Sequence, residues 1–207
     1  RQRQMCIRDR FSMSQMAKSK RSGLNFNPLR MVGMKALQAA MDTVVAELDT
    51  LGFYDERLDE VEVYLVPVGV AFGWQLYGGD RSIQIPMLSL SRLLEHFGWD
   101  YSALSDVLRH EFGHAVADTH RGLMRSRRFS GVFGGSHESI WAQDYDPEHH
   151  ATQYAATNPS EDFAEIFYLY LKYAGRLPGR YNTVPIRAKW HFIRDLRRAI
   201  QQGRRRW

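Results

Sequence analysis

His110-Glu111-Phe112-Gly113-His114 constrains this chain more than any other stretch. Its pattern is H-E-x-x-H. On an α-helix, residues four apart sit one turn above each other on the same face. Two imidazoles so placed can grip one Zn²⁺, with the Glu beside His110 as general base toward a bound water. The motif points to metal-assisted hydrolysis, most often of peptide bonds. Its surroundings read as helical. Leu104, Val107 and Leu108 recur at helical spacing, Ala115 extends the series, and no Pro interrupts it. The spacing predicts a helix over about 102–119, with Ser102 or Ser105 as its cap. A helix with two half-buried histidines and an exposed Glu is the alternative that the pattern leaves open.

A catalytic zinc usually has three protein ligands and water in the open fourth position. Two residues compete for the third place. His120 lies six residues past His114, the spacing of H-E-x-x-H-x-x-G-x-x-H, where a Gly turns the chain so that the last His swings back. Ala117 stands in place of that Gly, and no downstream Met-turn is visible. Glu161 is the rival. Asn158 reads as an N-cap and Pro159 as the first helical residue, which puts Glu165 one turn beyond Glu161 on the same face. N-x-x-E is also close to a capping box, in which Glu161 would only satisfy backbone N–H groups. That reading leaves Glu165 unexplained. A carboxylate there suits a partner that fixes a ligating imidazole by accepting its other N–H.

HEFGHAV followed by Y-x-x-T-N-x-x-E-x-F-A-E-x-F resembles the gluzincin catalytic domain of anthrax lethal factor and its relatives, the Pro-Pro endopeptidases and a group of bacterial zinc metallopeptidases. The resemblance spans residues 82–175. It implies an α+β, zincin-like fold: a small mixed sheet, the H-E-x-x-H helix, then a Glu-bearing helix. It implies one Zn²⁺ on His110, His114 and Glu161, with Glu111 as the catalytic base and Glu165 behind the ligands. It places the family's catalytic tyrosine on Tyr154, seven residues before the Glu ligand. From its own surroundings Tyr154 reads equally as an oxyanion donor or an aromatic plug beside the site. The loop between the two motifs shows no match, so no substrate preference carries over.

Elsewhere the chain is ordinary. Leu37, Met41, Val44, Leu48 and Leu51 form one apolar helix stripe, with Gly52 as its stop. Val61–Pro67 and Phe72–Tyr77 read as strands, and Gly78-Gly79-Asp80 as a turn. Ser82–Ile85 alternates polar and apolar and is the expected free sheet edge for pairing with an extended peptide, or else an ordinary hairpin strand. Ser89–Phe97 reads as a short helix and Ile186–Gln202 as the final one. Residues 122–150 look irregular, and their cluster of Asp144, Asp146, Glu148, His149 and His150 reads as solvated surface or a second metal site.

Charge is local here. The net charge is +5, yet residues 1–23 hold seven basic residues and one Asp, leaving 21 basic against 22 acidic elsewhere. Residues 1–27 read as a disordered tail and 28–203 as one metallopeptidase domain. RQRQMCIRDR has the look of translated adapter read-through, so the expected natural start is Met13 or Met16. The one cysteine, Cys6, excludes a thiolate zinc site, so a metal must rely on His and carboxylate. No apolar run resembles a signal peptide or a membrane span, and a cytoplasmic location is the default. The arginines at 121–128 and 194–206 carry no nucleic-acid motif. The expected partner is a peptide or protein substrate. A zincin-fold binding protein with narrow or no proteolytic activity stays open beside the enzyme.

Overall fold

Three strands meet in one sheet: β1 (Val61–Val66), β2 (Gly73–Tyr77) and β3 (Asp80–Pro86). The computed structural model describes residues 31–77, 80–97 and 101–207. The expected tail at 1–27 and the Gly78-Gly79 turn lie outside the described residues. The strand order is β1-β3-β2, with β3 parallel to β1 and antiparallel to β2. This corrects the edge expected at Ser82–Ile85. That segment is the central strand, and β2 is an edge. Ile83 and Ile85 are fully buried and Ser82 is buried too, whereas Leu76 on β2 is exposed. Alternation along β3 reveals a strand but not its neighbours; the parallel return of β1 makes it central.

Seven α-helices accompany the sheet among the described residues, an α+β architecture. Helix α1 (Met34–Thr50) buries Leu37, Val44 and Leu48, and Gly52 at φ +70° turns the chain out of it. Helix α2 (Leu90–Phe97) is short. Helix α3 (Leu104–Thr119) carries the H-E-x-x-H residues and is buried on almost every side, as a central helix must be. Neither expected serine caps it. Ala103 is the N-cap, and Asp106 reaches back from the first turn to accept from the amides of Ser102 (2.8 Å) and Ala103 (3.2 Å).

The stretch expected to be irregular contains two short helices, α4 (Arg121–Met124) and α5 (Arg127–Phe133). The Ser126 side chain caps α5 by accepting from the Phe129 amide, and Phe129 and Phe133, four apart, are both buried. Helix α6 (Pro159–Lys172) begins as the sequence predicts: Asn158 accepts from the amides of Ser160 and Glu161, and Pro159 opens the first turn. Helix α7 (Val184–Gln201) closes the chain, capped by Thr183. No helix among the described residues is long and apolar enough to cross a membrane.

Helices α3 and α6 pack backbone to backbone. A Cβ at Gly113 would stand 3.1 Å from the Ala164 Cα, so glycine at this point permits the close approach. Two ion pairs hold the frame. Arg109 on α3 joins Glu47 on α1 at 2.6 Å, and Lys189 on α7 joins Asp162 on α6 at 2.5 Å. The second pair is buried on both sides, and burial pushes the Asp162 carboxyl up to about 6 even with the ammonium beside it. Lys189→Met should therefore strand a buried carboxylate and cost about 3–5 kcal/mol in urea unfolding, while adding Asp162→Leu should recover most of that loss. Equal midpoints for wild type and the single variant would show that the pair holds nothing.

Candidate metal centre

The Nε2 atoms of His110 and His114 and Oε2 of Glu161 form a nearly equilateral triangle. Its sides are 3.1 Å, 3.2 Å and 3.2 Å. All three residues are buried. Helical geometry explains the placement: α3 stacks its two imidazoles one turn apart, and α6 delivers a carboxylate from its first turn across the Gly113 contact. The Asn158 side chain does the capping, so the Glu161 carboxylate is spared for the imidazoles.

Hydrogen bonds account poorly for such a triangle. One proton serves one edge, and the two imidazole nitrogens face each other as well as the same oxygen. A shared cation serves all three corners at once. A tetrahedral zinc with bonds of about 2.0–2.1 Å has ligand-to-ligand edges of about 3.3–3.4 Å, close to those observed. Two imidazoles and one carboxylate, without thiolate, are also a donor set that zinc accepts. Charge points the same way. Glu111, Glu161 and Glu165 are all buried, and among the described residues no Lys or Arg forms an ion pair with any of them. Buried carboxylates need a compensating cation, which a protonated His110 supplies in part and a divalent ion would supply in its place.

Each imidazole is held from behind. His110 Nδ1 lies 2.8 Å from Glu165 Oε1 and 3.1 Å from the Tyr101 hydroxyl, which itself donates to Glu165. The other Glu165 oxygen accepts from the Thr152 hydroxyl at 2.8 Å. His114 Nδ1 lies 3.3 Å from the Ser160 hydroxyl, which also meets His137 Nε2 at 3.3 Å. Burial alone would lower the His110 pKa, but Glu161 and Glu165 outweigh it and push it up to about 10. A cation bound to these nitrogens would have to displace that proton. Burial would raise Glu161, but His114 and His110 reverse that and hold its carboxyl well below the usual range. Glu165→Gln weakens the acceptor that orients His110 and should lower zinc affinity about 10–100-fold in a competitive chelator titration. An unchanged affinity would remove Glu165 from the account.

Glu111 faces the sheet. Its Oε2 accepts from the Trp74 amide of β2 at 2.7 Å, and burial raises its pKa. Tyr154 opens a 3-10 turn (Tyr154–Thr157) that leads into α6, and its ring lies 5.6 Å from that of His110. Burial, then the carboxylates of Glu161, Glu111 and Glu165, push its phenol well above the ordinary value, so it remains a donor at neutral pH.

His120 belongs to a different neighbourhood. Helix α3 runs on through Ala117 to Thr119 instead of breaking, and six residues carry His120 about 240° around the axis from His114. There it meets Asp55 at 3.7 Å and Arg57 at 3.4 Å, and burial drops its pKa to about 4. The acidic loop gathers no second cluster among the described residues. His149 pairs with Asp146 at 2.7 Å, and His150 is buried.

Sequence reasoning missed Tyr101, Thr152, Ser160, His137 and the Gly73-Trp74 backbone. None carries a spacing signal: Tyr101 precedes the helix, and the strand contact is made by an amide, which every residue type possesses. Comparison with protein-family models, with curated proteins and with solved structures finds no match.

Proposed function

We propose that this chain is a zinc-dependent metallopeptidase of gluzincin type, holding one Zn²⁺ on His110, His114 and Glu161. The observation that carries the reading is the buried triangle of two imidazole nitrogens and one carboxylate oxygen, with Glu111 beside it. When bound, Zn²⁺ supplies Lewis-acid polarisation of a water and of the scissile carbonyl. Glu111 takes the proton of the attacking water and returns it to the leaving amine. Its burial-raised pKa suits both halves of that exchange. The Tyr154 hydroxyl donates to the carbonyl oxygen as negative charge builds there. Glu165 and Tyr101 on one side, and Ser160 on the other, keep the imidazoles in register.

Strand β2 gives the substrate its place. It is the sheet edge that touches the base, so an extended peptide pairing along it would present a carbonyl near Glu111. Val70 just before this strand and Leu76 on it are exposed, favouring apolar side chains in the peptide. An unbiased peptide library tests the reading. Cleavage should occur, stop on chelation and return with zinc. Stoichiometric zinc without cleavage of any peptide would leave a zincin-fold binding protein in its place.

A further inference from the structure

Gly73 opens β2 at φ +81°, in the left-handed region that L side chains rarely adopt. Space is the second constraint. A Cβ there would stand 2.9 Å from Glu111 Oε1, 3.0 Å from Oε2 and 3.2 Å from Cδ. The carboxylate thus turns both oxygens toward the face of Gly73 where a side chain would stand, while Oε2 takes the next amide at 2.7 Å. Gly69 offers a contrast within the same loop: its φ is +87°, yet a Cβ there would meet nothing within 4 Å. Backbone shape alone explains Gly69. Gly73 answers to the carboxylate as well.

The backbone beneath the carboxylate is fixed. Trp74 is paired with Ile83, which is fully buried in the central strand. The Arg81 guanidinium lies 5.8 Å from the centre of the Trp74 ring and reaches the end of α3 through Asp118 at 3.4 Å. One arginine therefore ties the strand bearing the amide to the helix bearing Glu111.

We infer that Gly73 and the Trp74 amide form the seat that aims the Glu111 carboxylate, which makes Gly73 a positioning residue. As a statement about catalysis this rests on the hydrolytic reading above; as a contact it stands alone. Oε2 is committed to the amide and the Gly73 face limits rotation of the carboxylate, which leaves Oε1 as the oxygen to meet the water. A side chain at residue 73 displaces the plane without touching the metal ligands.

Gly73→Ala and Gly69→Ala test it together. Gly73→Ala should lower kcat about 100-fold, with KM changed less than about threefold and zinc unchanged at one per chain. Gly69→Ala carries a similar backbone strain and should keep kcat within about threefold. The Trp74 amide signal in a nitrogen–proton NMR spectrum should move in Gly73→Ala and stay in Gly69→Ala. Glu111→Ala, which leaves the glycine in place, should speed hydrogen exchange at that amide, and this reading is available even if Gly73→Ala does not fold. Wild-type kcat in Gly73→Ala, an equal loss in Gly69→Ala, or an exchange rate indifferent to Glu111 would each overturn the seat. A wild-type protein that cleaves nothing would end the hydrolytic reading alone, because the amide measurements still decide the contact.

Discussion

Glu111→Gln should purify with one zinc per chain and hydrolyse peptides about 10³–10⁴-fold more slowly than the parent. The substitution is nearly isosteric, and the amide oxygen of Gln can still accept from the Trp74 N–H. What it removes is the capacity to take a proton. Burial raises the carboxyl's pKa and so makes the carboxylate a stronger base than an exposed one, and the substitution removes that base. His110, His114 and Glu161 are untouched, and zinc content separates a chemical defect from a structural one. Parental activity in this variant would mean that another group takes the proton.

The second large effect is on metal retention. Glu161→Ala should lower zinc affinity by more than about 100-fold, beyond the loss expected for removing a supporting partner such as Glu165. His120→Ala should keep full zinc and instead lose stability, because His120 is buried against Asp55 and Arg57 at the end of α3. The two variants divide the competing ligand sets cleanly. Full zinc in Glu161→Ala together with loss in His120→Ala would assign the third ligand to the histidine.

Much of this arrangement was legible in the chain because it is local. H-E-x-x-H fixes a helix face, and Asn158-Pro159 fixes where α6 begins, so the rotational positions of His110, His114, Glu161 and Glu165 follow from helix geometry. Their convergence was legible only through the paired motifs. The contact that brings the two helices together depends on Gly113 meeting Ala164, residues 51 apart in sequence with nothing in either to name the other. The edge expected at Ser82–Ile85 failed for the same reason, while the hairpin alternative matches its antiparallel pairing with β2. Alternation along Ser82–Ile85 reports a pleat, whereas edge or centre is decided by where β1 comes back. Helix α5 was hidden by Gly131 within it and Gly134-Gly135 after it, although the Ser126 cap and the Phe129–Phe133 spacing were present to be read. The support behind the imidazoles was illegible in kind: a tyrosine, a threonine and a serine are common residues, and only the fold aims their hydroxyls at Glu165 and His114.

X-ray absorption at the zinc edge of the purified chain reads the ligand set itself. The triangle predicts one zinc per chain, bound by two imidazoles and oxygen donors at about 2.0–2.2 Å, with the carboxylate contribution lost in Glu161→Ala. A chain that holds no stoichiometric zinc, or a spectrum showing three imidazoles, would contradict it.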